Sequence, residues 1–213
     1  MLDFVSSRWM DILFRSYQHA SLVVQSLVVA TIIALLIAML VSSRPWGSAV
    51  ANAVSSIGLT LPSLALLGLA VPLVGIGTLP SVMIVIFYAT LPILRNAIVG
   101  LQNIDEDLLE SARGQGMSRR AVLLRVRLPM AWPVIMTGIR VSAQMSMGVA
   151  AIAAYALGPG LGGYIFSGLS QIGGANALYY ALAGTIGVII VALIVDLVLV
   201  LIARLTTSKG LLV

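Results

Sequence analysis

Between Arg44 and Arg95, residues 45 to 94, fifty in a row, pass without one Asp, Glu, Lys or Arg. A single α-helix of that length would reach about 75 Å at about 1.5 Å per residue, whereas the hydrocarbon core of a bilayer is only about 30 Å thick. The stretch must therefore fold into at least two spans. Residues 141 to 195 form a second uncharged stretch, punctuated by glycine, that needs two more. The rest of the composition agrees: 9% of the 213 residues are charged and the mean hydropathy is +1.10, against about 25% charged residues in a soluble domain. The chain reads as an all-α membrane protein.

Composition also excludes chemistry. Zero cysteines remove disulfides, thiol nucleophiles and thiolate metal sites, and the single histidine, His19, leaves almost nothing for a metal site or a catalytic triad. Asp3, Arg8, Asp11 and Arg15 are spread through the first twenty residues, unlike the basic start and apolar block of a cleavable signal peptide. The net charge of +5 suits topology-setting arginines better than a nucleic-acid surface.

Residues 1–19 read as a short amphipathic segment lying along the membrane surface: Phe4, Val5, Trp9, Ile12 and Leu13 recur at helical spacing while the charges fall elsewhere. Five spans follow, at about 22–41, 47–74, 79–98, 129–156 and 178–202. "SSRPW", "GIGTLP", the prolines 129 and 133, and the glycines of "LGPGLGG" and "SQIGG" supply the breaks. Pro62, Pro72 and Pro92 are candidate bends in spans two and three. The spans belong to one transmembrane domain, 20–205, with a C-terminal tail at 206–213. Arg44, Arg95, Arg113, Arg119, Arg120, Arg125, Arg127, Arg204 and Lys209 gather on one side, which the positive-inside rule makes cytoplasmic. The N-terminus is then outside and the C-terminus inside.

Nine of the nineteen charged residues crowd into a loop at 103–128, between spans three and four. "NIDEDLLESARGQG" reads as a short helix started by Asn103 or Asp105, with acids in its first turn and Gly114 and Gly116 ending it. Ile104, Leu108 and Ala112 share one face, and Glu106, Glu110 and Arg113 another. "MSRRAVLLRVRLP" restarts a helix with Ser118 as its cap. Charge alone fits a solvated loop kept inside by arginine. A nucleic-acid patch lacks the interleaved aromatics.

Spacing goes further. Glu110, Ser111, Ala112, three residues, Gly116, nine residues, then Val126, Arg127, Leu128 and Pro129 resembles the E-A-A, three, G, nine, I-x-L-P pattern of the permease subunits of bacterial ABC importers, with serine for one alanine and valine for isoleucine. The stretches 60–101, 128–140 and 158–169 look like the osmoprotectant branch of that family. The resemblance runs from about Ser21 onward. It implies the type I ABC importer permease fold, and a path for glycine betaine, carnitine, choline or proline betaine. A permease for methionine or another amino acid is the alternative, and an ion-coupled secondary transporter a more distant one. It further implies a cytoplasmic ATP-binding subunit docked on Glu110, Ser111, Ala112, Gly116, Val126, Leu128 and Pro129, a second permease chain, identical or related, and an extracellular or periplasmic solute-binding protein. ATP and Mg would belong to the partner, since the only lysine, Lys209, sits in no phosphate-binding loop; this chain is expected to bind no cofactor, no metal and no nucleic acid, and to be a transport subunit in the bacterial inner membrane, not an enzyme.

Within the spans, Arg140 lies eleven residues past Pro129 and Asp196 eight before Arg204, at matching depth. An unpaired charge there costs a few kcal/mol or more, which suggests an ion pair as a structural lock, though each could instead snorkel separately. Asn96, Gln144 and Tyr155 are candidates for the path lining, with a packing role open to each. No aromatic cage for a quaternary ammonium can be read from the spacing of Trp9, Trp46, Trp132 and the six tyrosines.

Overall fold

A computed structural model describes residues 1–207; Lys209 and most of the expected tail at 206–213 lie outside the described residues. Among the described residues the chain is helical: α1 (Leu2–Val41), α2 (Pro45–Thr60), α3 (Ser63–Val74), α4 (Thr78–Gln102), α5 (Glu106–Gly114), α6 (Arg119–Val122), α7 (Leu128–Ala153), α8 (Gly162–Ser170) and α9 (Ala177–Thr206). A π turn (Leu123–Arg127) joins α6 to α7, and a 3₁₀ turn (Ala154–Ala156) closes α7.

The expected N-terminal segment at 1–19 is helical and runs without a break into the first span, the two forming α1, a single helix of 40 residues. No glycine or proline occurs before Val41 to break it. Asp11 and Arg15 pair one turn apart at 3.0 Å, which masks charge along the helix. The second span departs in the opposite sense, because α2 and α3 meet at 92°. Leu61 precedes Pro62 and is driven to an extended ψ of 132°, so the helix cannot continue. The carbonyl freed there accepts from the Tyr88 hydroxyl of α4. Pro72, Pro92 and Pro133 lie inside continuous helices.

Two interhelical contacts fix how the chain runs. The Gly77 amide, at the α3–α4 turn, donates to the Ala156 carbonyl at 2.7 Å. At the other end of α4, the Gln102 amide donates to the Ser42 carbonyl after α1 at 3.2 Å. Thus α2–α3 climbs from the arginine-rich end of the bundle to the end bearing the glycine loops, and α4 returns. Among the described residues four helices are long and apolar enough to cross a membrane alone, and the bent α2–α3 pair counted as one span makes five.

At the centre, α4 and α7 cross closely. A Cβ on Gly138 would lie 2.7 Å from the Asn96 Cβ and 3.1 Å from the Pro92 carbonyl oxygen, and one on Gly100 3.1 Å from the Ala131 carbonyl oxygen. Small residues let the backbones approach, and packing then replaces a hydrophobic drive that lipid does not supply. Ile93 and Ile98 of α4, Ile135 of α7 and Val23 of α1 fill the core beside the crossing. The buried Ser142 hydroxyl donates across it to the Ala89 carbonyl at 2.7 Å.

Candidate functional site

The charged loop folds as a helical hairpin, α5 then α6, at the arginine-rich end. Asp105 starts α5: its carboxylate accepts from the Asp107 amide at 3.0 Å, and Glu106 and Asp107 meet the helix dipole in the first turn. The helix ends in a Schellman motif, with Met117 N–H donating to the Ala112 carbonyl at 3.2 Å and Gly116 N–H to the Arg113 carbonyl at 2.9 Å. This geometry places Gly116 at the left-handed position, φ +82°, and Met117 back against Ala112. The four-residue spacing from Ala112 to Gly116 is therefore the spacing of a helix stop. Gly114 stays helical, so of the two glycines expected to make the sharp turn only Gly116 is needed for it.

The inward face of α5 is Leu109 and Ala112, which close on Val122 of α6, with Ile104, Met117 and Val126 around them. Leu108, expected on the apolar face, is partly exposed, and Leu109 takes its place. Ala112 thus packs inside the hairpin. Glu110 and Ser111 face out, and Arg113 pairs with Glu106 at 3.0 Å. The Ser118 hydroxyl accepts from the Ala121 amide at 3.3 Å and starts α6.

The return into the membrane is continuous, in contrast to a fresh helix start at Pro129. The Leu128 amide reaches back five residues to the Leu123 carbonyl, and this widened turn carries Val126 and the approach to Pro129. Proline lacks an N–H and its ring would clash with a carbonyl four residues earlier in a regular helix; a π turn relieves both. Leu128 packs on the main core, and Pro129 is exposed. Sequence reasoning missed Arg127, which falls at the unspecified position of the pattern. Its Nη2 donates to the Leu101 carbonyl at 2.6 Å, and its Nη1 lies 3.5 Å from the Ser43 hydroxyl. One side chain so ties the hairpin to α4 and to the α1–α2 turn.

Deeper in, Arg140 of α7 and Asp196 of α9 meet in a two-pronged pair, Nε to Oδ1 and Nη2 to Oδ2, both 3.0 Å. Fixed donor geometry of this kind suits arginine and not lysine. Gln144, one turn along α7, adds a donor 3.4 Å from Asp196 Oδ1. Asn96 donates to the Pro92 carbonyl at 2.9 Å, in its own helix and against Gly138. Tyr155 is 67% exposed, its ring 5.5 Å from that of Phe166.

The opposite end holds an aromatic cluster that spacing did not reveal. Phe4 of α1 packs on Tyr164 of α8 and on Tyr179 and Tyr180 of α9. Arg8 lies 5.2 Å from the Phe4 ring centre and 5.1 Å from that of Tyr180. The Tyr164 hydroxyl donates to Asp11 at 2.6 Å. Burial and that carboxylate raise the Tyr164 hydroxyl above its ordinary value, so the phenol stays protonated as donor. Among the described residues no three carboxylates or histidines converge as a metal site would require.

The profile of the family described as "Binding-protein-dependent transport system inner membrane component" matches residues 27–208. Among curated proteins the chain is 34% identical over 213 residues to the choline transport system permease protein OpuBB of Bacillus subtilis, covering 99% of this chain and 95% of that protein. It is 35% identical to the glycine betaine/carnitine/choline transport system permease protein OpuCB of the same organism, at 99% and 95% coverage, and 35% identical to the osmoprotectant import permease protein OsmW of Salmonella typhimurium, at 92% and 91%. Among solved structures, a chain of the inward-facing MetNI methionine ABC transporter superposes with a TM-score of 0.80 at 20% identity, covering 93% of this chain and 98% of that one.

Proposed function

The chain belongs to the family of binding-protein-dependent transport system inner membrane components, and on that premise we propose that it forms half of the membrane path of an ATP-driven importer for a quaternary-ammonium osmoprotectant such as glycine betaine, carnitine, choline or proline betaine. It is a multi-pass membrane transport component and not an enzyme. The observation that carries the solute class is the near full-length likeness, at 34–35% identity, to permeases named for those solutes. The likeness to the methionine transporter, at 20% identity, carries the fold alone.

In this reading the arginine-rich end is cytoplasmic, the N-terminus of α1 lies outside, and a second permease chain, identical or related, completes the path. A separate ATP-binding subunit holds ATP and Mg and docks on the outward face of α5, where Glu110 and Ser111 are presented while Leu109 and Ala112 brace the helix from behind. Val126, Leu128 and Pro129 carry the displacement into α7, and Arg127 carries it to α4 and α1. A solute-binding protein delivers the osmolyte at the glycine-loop end. Gln144, beside the Arg140–Asp196 pair, lines the path; Asn96, spent on its own helix, serves packing; Tyr155 guards the outer mouth.

The test is uptake into vesicles holding the permease, its ATPase and its binding protein. ATP-dependent entry of radiolabelled choline, glycine betaine or carnitine, with no entry of methionine, is expected. Uptake that ignores ATP and follows an ion gradient, or that carries methionine alone, sinks the proposal.

A further inference from the structure

At the arginine-rich end the hairpin and the membrane helices enclose a basin of about 760 Å³. Arg113 from α5, Arg119 and Arg120 from α6, and Arg127 at the foot of α7 line it together with Ser43 of the α1–α2 turn, and no carboxylate is among its lining residues. Arg113 has a partner in Glu106 on its own helix. Among the described residues Arg119 and Arg120 make no ion pair, and the buried Nε of Arg127 has no acceptor. Arg119, Arg120 and the spare Nε of Arg127 thus leave positive charge and donors around one hollow with no anion of the chain to meet them, and the forked donors of arginine match a phosphate oxygen pair.

The height of the basin indicates where the anion comes from. Its floor is made where α1 and α4 end and α7 begins, since Arg127 reaches both Leu101 and Ser43. Trp46, three residues from Ser43, is 80% exposed, as an aromatic at the headgroup level is. Val122 and Leu123 complete the lining with apolar surface. We propose that this basin binds the phosphodiester headgroup of an anionic phospholipid, which bridges the α5–α6 hairpin to the feet of the membrane helices. The reading needs the chain in a membrane but not the identity of its solute, so lipid binding and solute uptake fail separately.

The experiment uses the purified complex of permease and ATPase in neutral detergent, titrated with phosphatidylglycerol, phosphatidylcholine or inorganic phosphate, with retained lipid counted by native mass spectrometry. Phosphatidylglycerol should be retained at least tenfold more tightly than phosphatidylcholine, each arginine near the surface being worth several-fold. The double variant Arg119→Gln, Arg120→Gln, on exposed side chains whose loss spares the core, should lose about tenfold. Arg204→Gln, at the same end but outside the basin, should change it little. Equal loss in the Arg204 variant, equal binding of the two lipids, or retention of inorganic phosphate without lipid overturns the proposal. So does lipid retention by the permease alone that vanishes once the ATPase is present, because an acidic protein surface would then be the occupant.

Discussion

The α4–α7 crossing and the α5–α6 hairpin are built from the same small residues and hold together by different means. In the crossing, Gly100 and Gly138 are small because the neighbouring backbone lies against them. In the hairpin, Gly116 has open space around it and is glycine because its φ is +82°. The first region resists volume, the second resists a change of backbone. The first is also buried in the main core, whereas the hairpin rests on a satellite of three buried residues and on Arg127. The proposed docking of an ATPase on the hairpin would use this difference as a lever does, one part holding its shape while the other is pushed.

Breaking the crossing has the largest expected effect. Gly138→Val puts a branched side chain against the Asn96 Cβ and a carbonyl oxygen, neither of which is the free end of a flexible group. A loss of about 3 kcal/mol is expected, read as a large fall in the thermal midpoint of the detergent-solubilised protein and in its yield in membranes. A stable, normally folded Gly138→Val protein would show that α4 and α7 can separate, and that the crossing is no harder than the hairpin.

The Arg140–Asp196 pair sits between the two extremes, because its side chains are 39% and 25% exposed within the single chain. Asp196→Ala leaves a guanidinium without its partner at depth, for an expected cost of about 2 kcal/mol. The double replacement Arg140→Gln, Asp196→Asn should cost less than Asp196→Ala, since no charge is stranded. Thermal unfolding of all three proteins tests this. If the double variant is the worst, the pair is more than a lock and its charges face the path.

How much of this was legible follows from the range of each interaction. The long apolar helices could be read because apolar length is local, and the hairpin because a cap, a Schellman stop and a proline return all lie within 25 residues, from Asp105 to Pro129. Matching depths drew attention to Arg140 and Asp196, but that the two side chains share a face is a property of two helices 56 residues apart. The sharpness of the α2–α3 break was not readable: Pro62 marks the place, while Tyr88 of α4, whose hydroxyl donates to the freed carbonyl, marks the angle. The continuity of α1 was hidden by the change from amphipathic to apolar pattern, which alters surroundings without altering helix propensity. Arg127 and the Phe4 cluster depend on tertiary neighbours, and no spacing in the chain announces them.

The hairpin gives smaller effects and a sharper distinction. Gly116→Ala forces a Cβ into the left-handed region, for about 1 kcal/mol. The membrane core does not depend on that turn, so the thermal midpoint should barely move while ATP hydrolysis continues with uptake severalfold lower. Gly116→Asn should recover much of the loss, because asparagine tolerates this conformation. If alanine and asparagine fail equally, the position is restricted by a partner's surface and not by the turn.

Gly114→Ala completes the series with the smallest effect and the opposite sign. Gly114 is helical, a Cβ there meets nothing within 4 Å, and alanine favours helix over glycine by up to about 1 kcal/mol. The variant should be slightly stabilised and should transport normally, as measured by uptake beside the parent protein. The two glycines stand two residues apart on one exposed turn, so a general sensitivity of that turn would strike both. A normal Gly114→Ala with a failing Gly116→Ala isolates backbone conformation as the requirement. Loss of uptake in both, with the thermal midpoint unchanged, would instead mean that the partner subunit packs flush against the end of α5, and would move the docking face from Glu110 and Ser111 toward the turn itself.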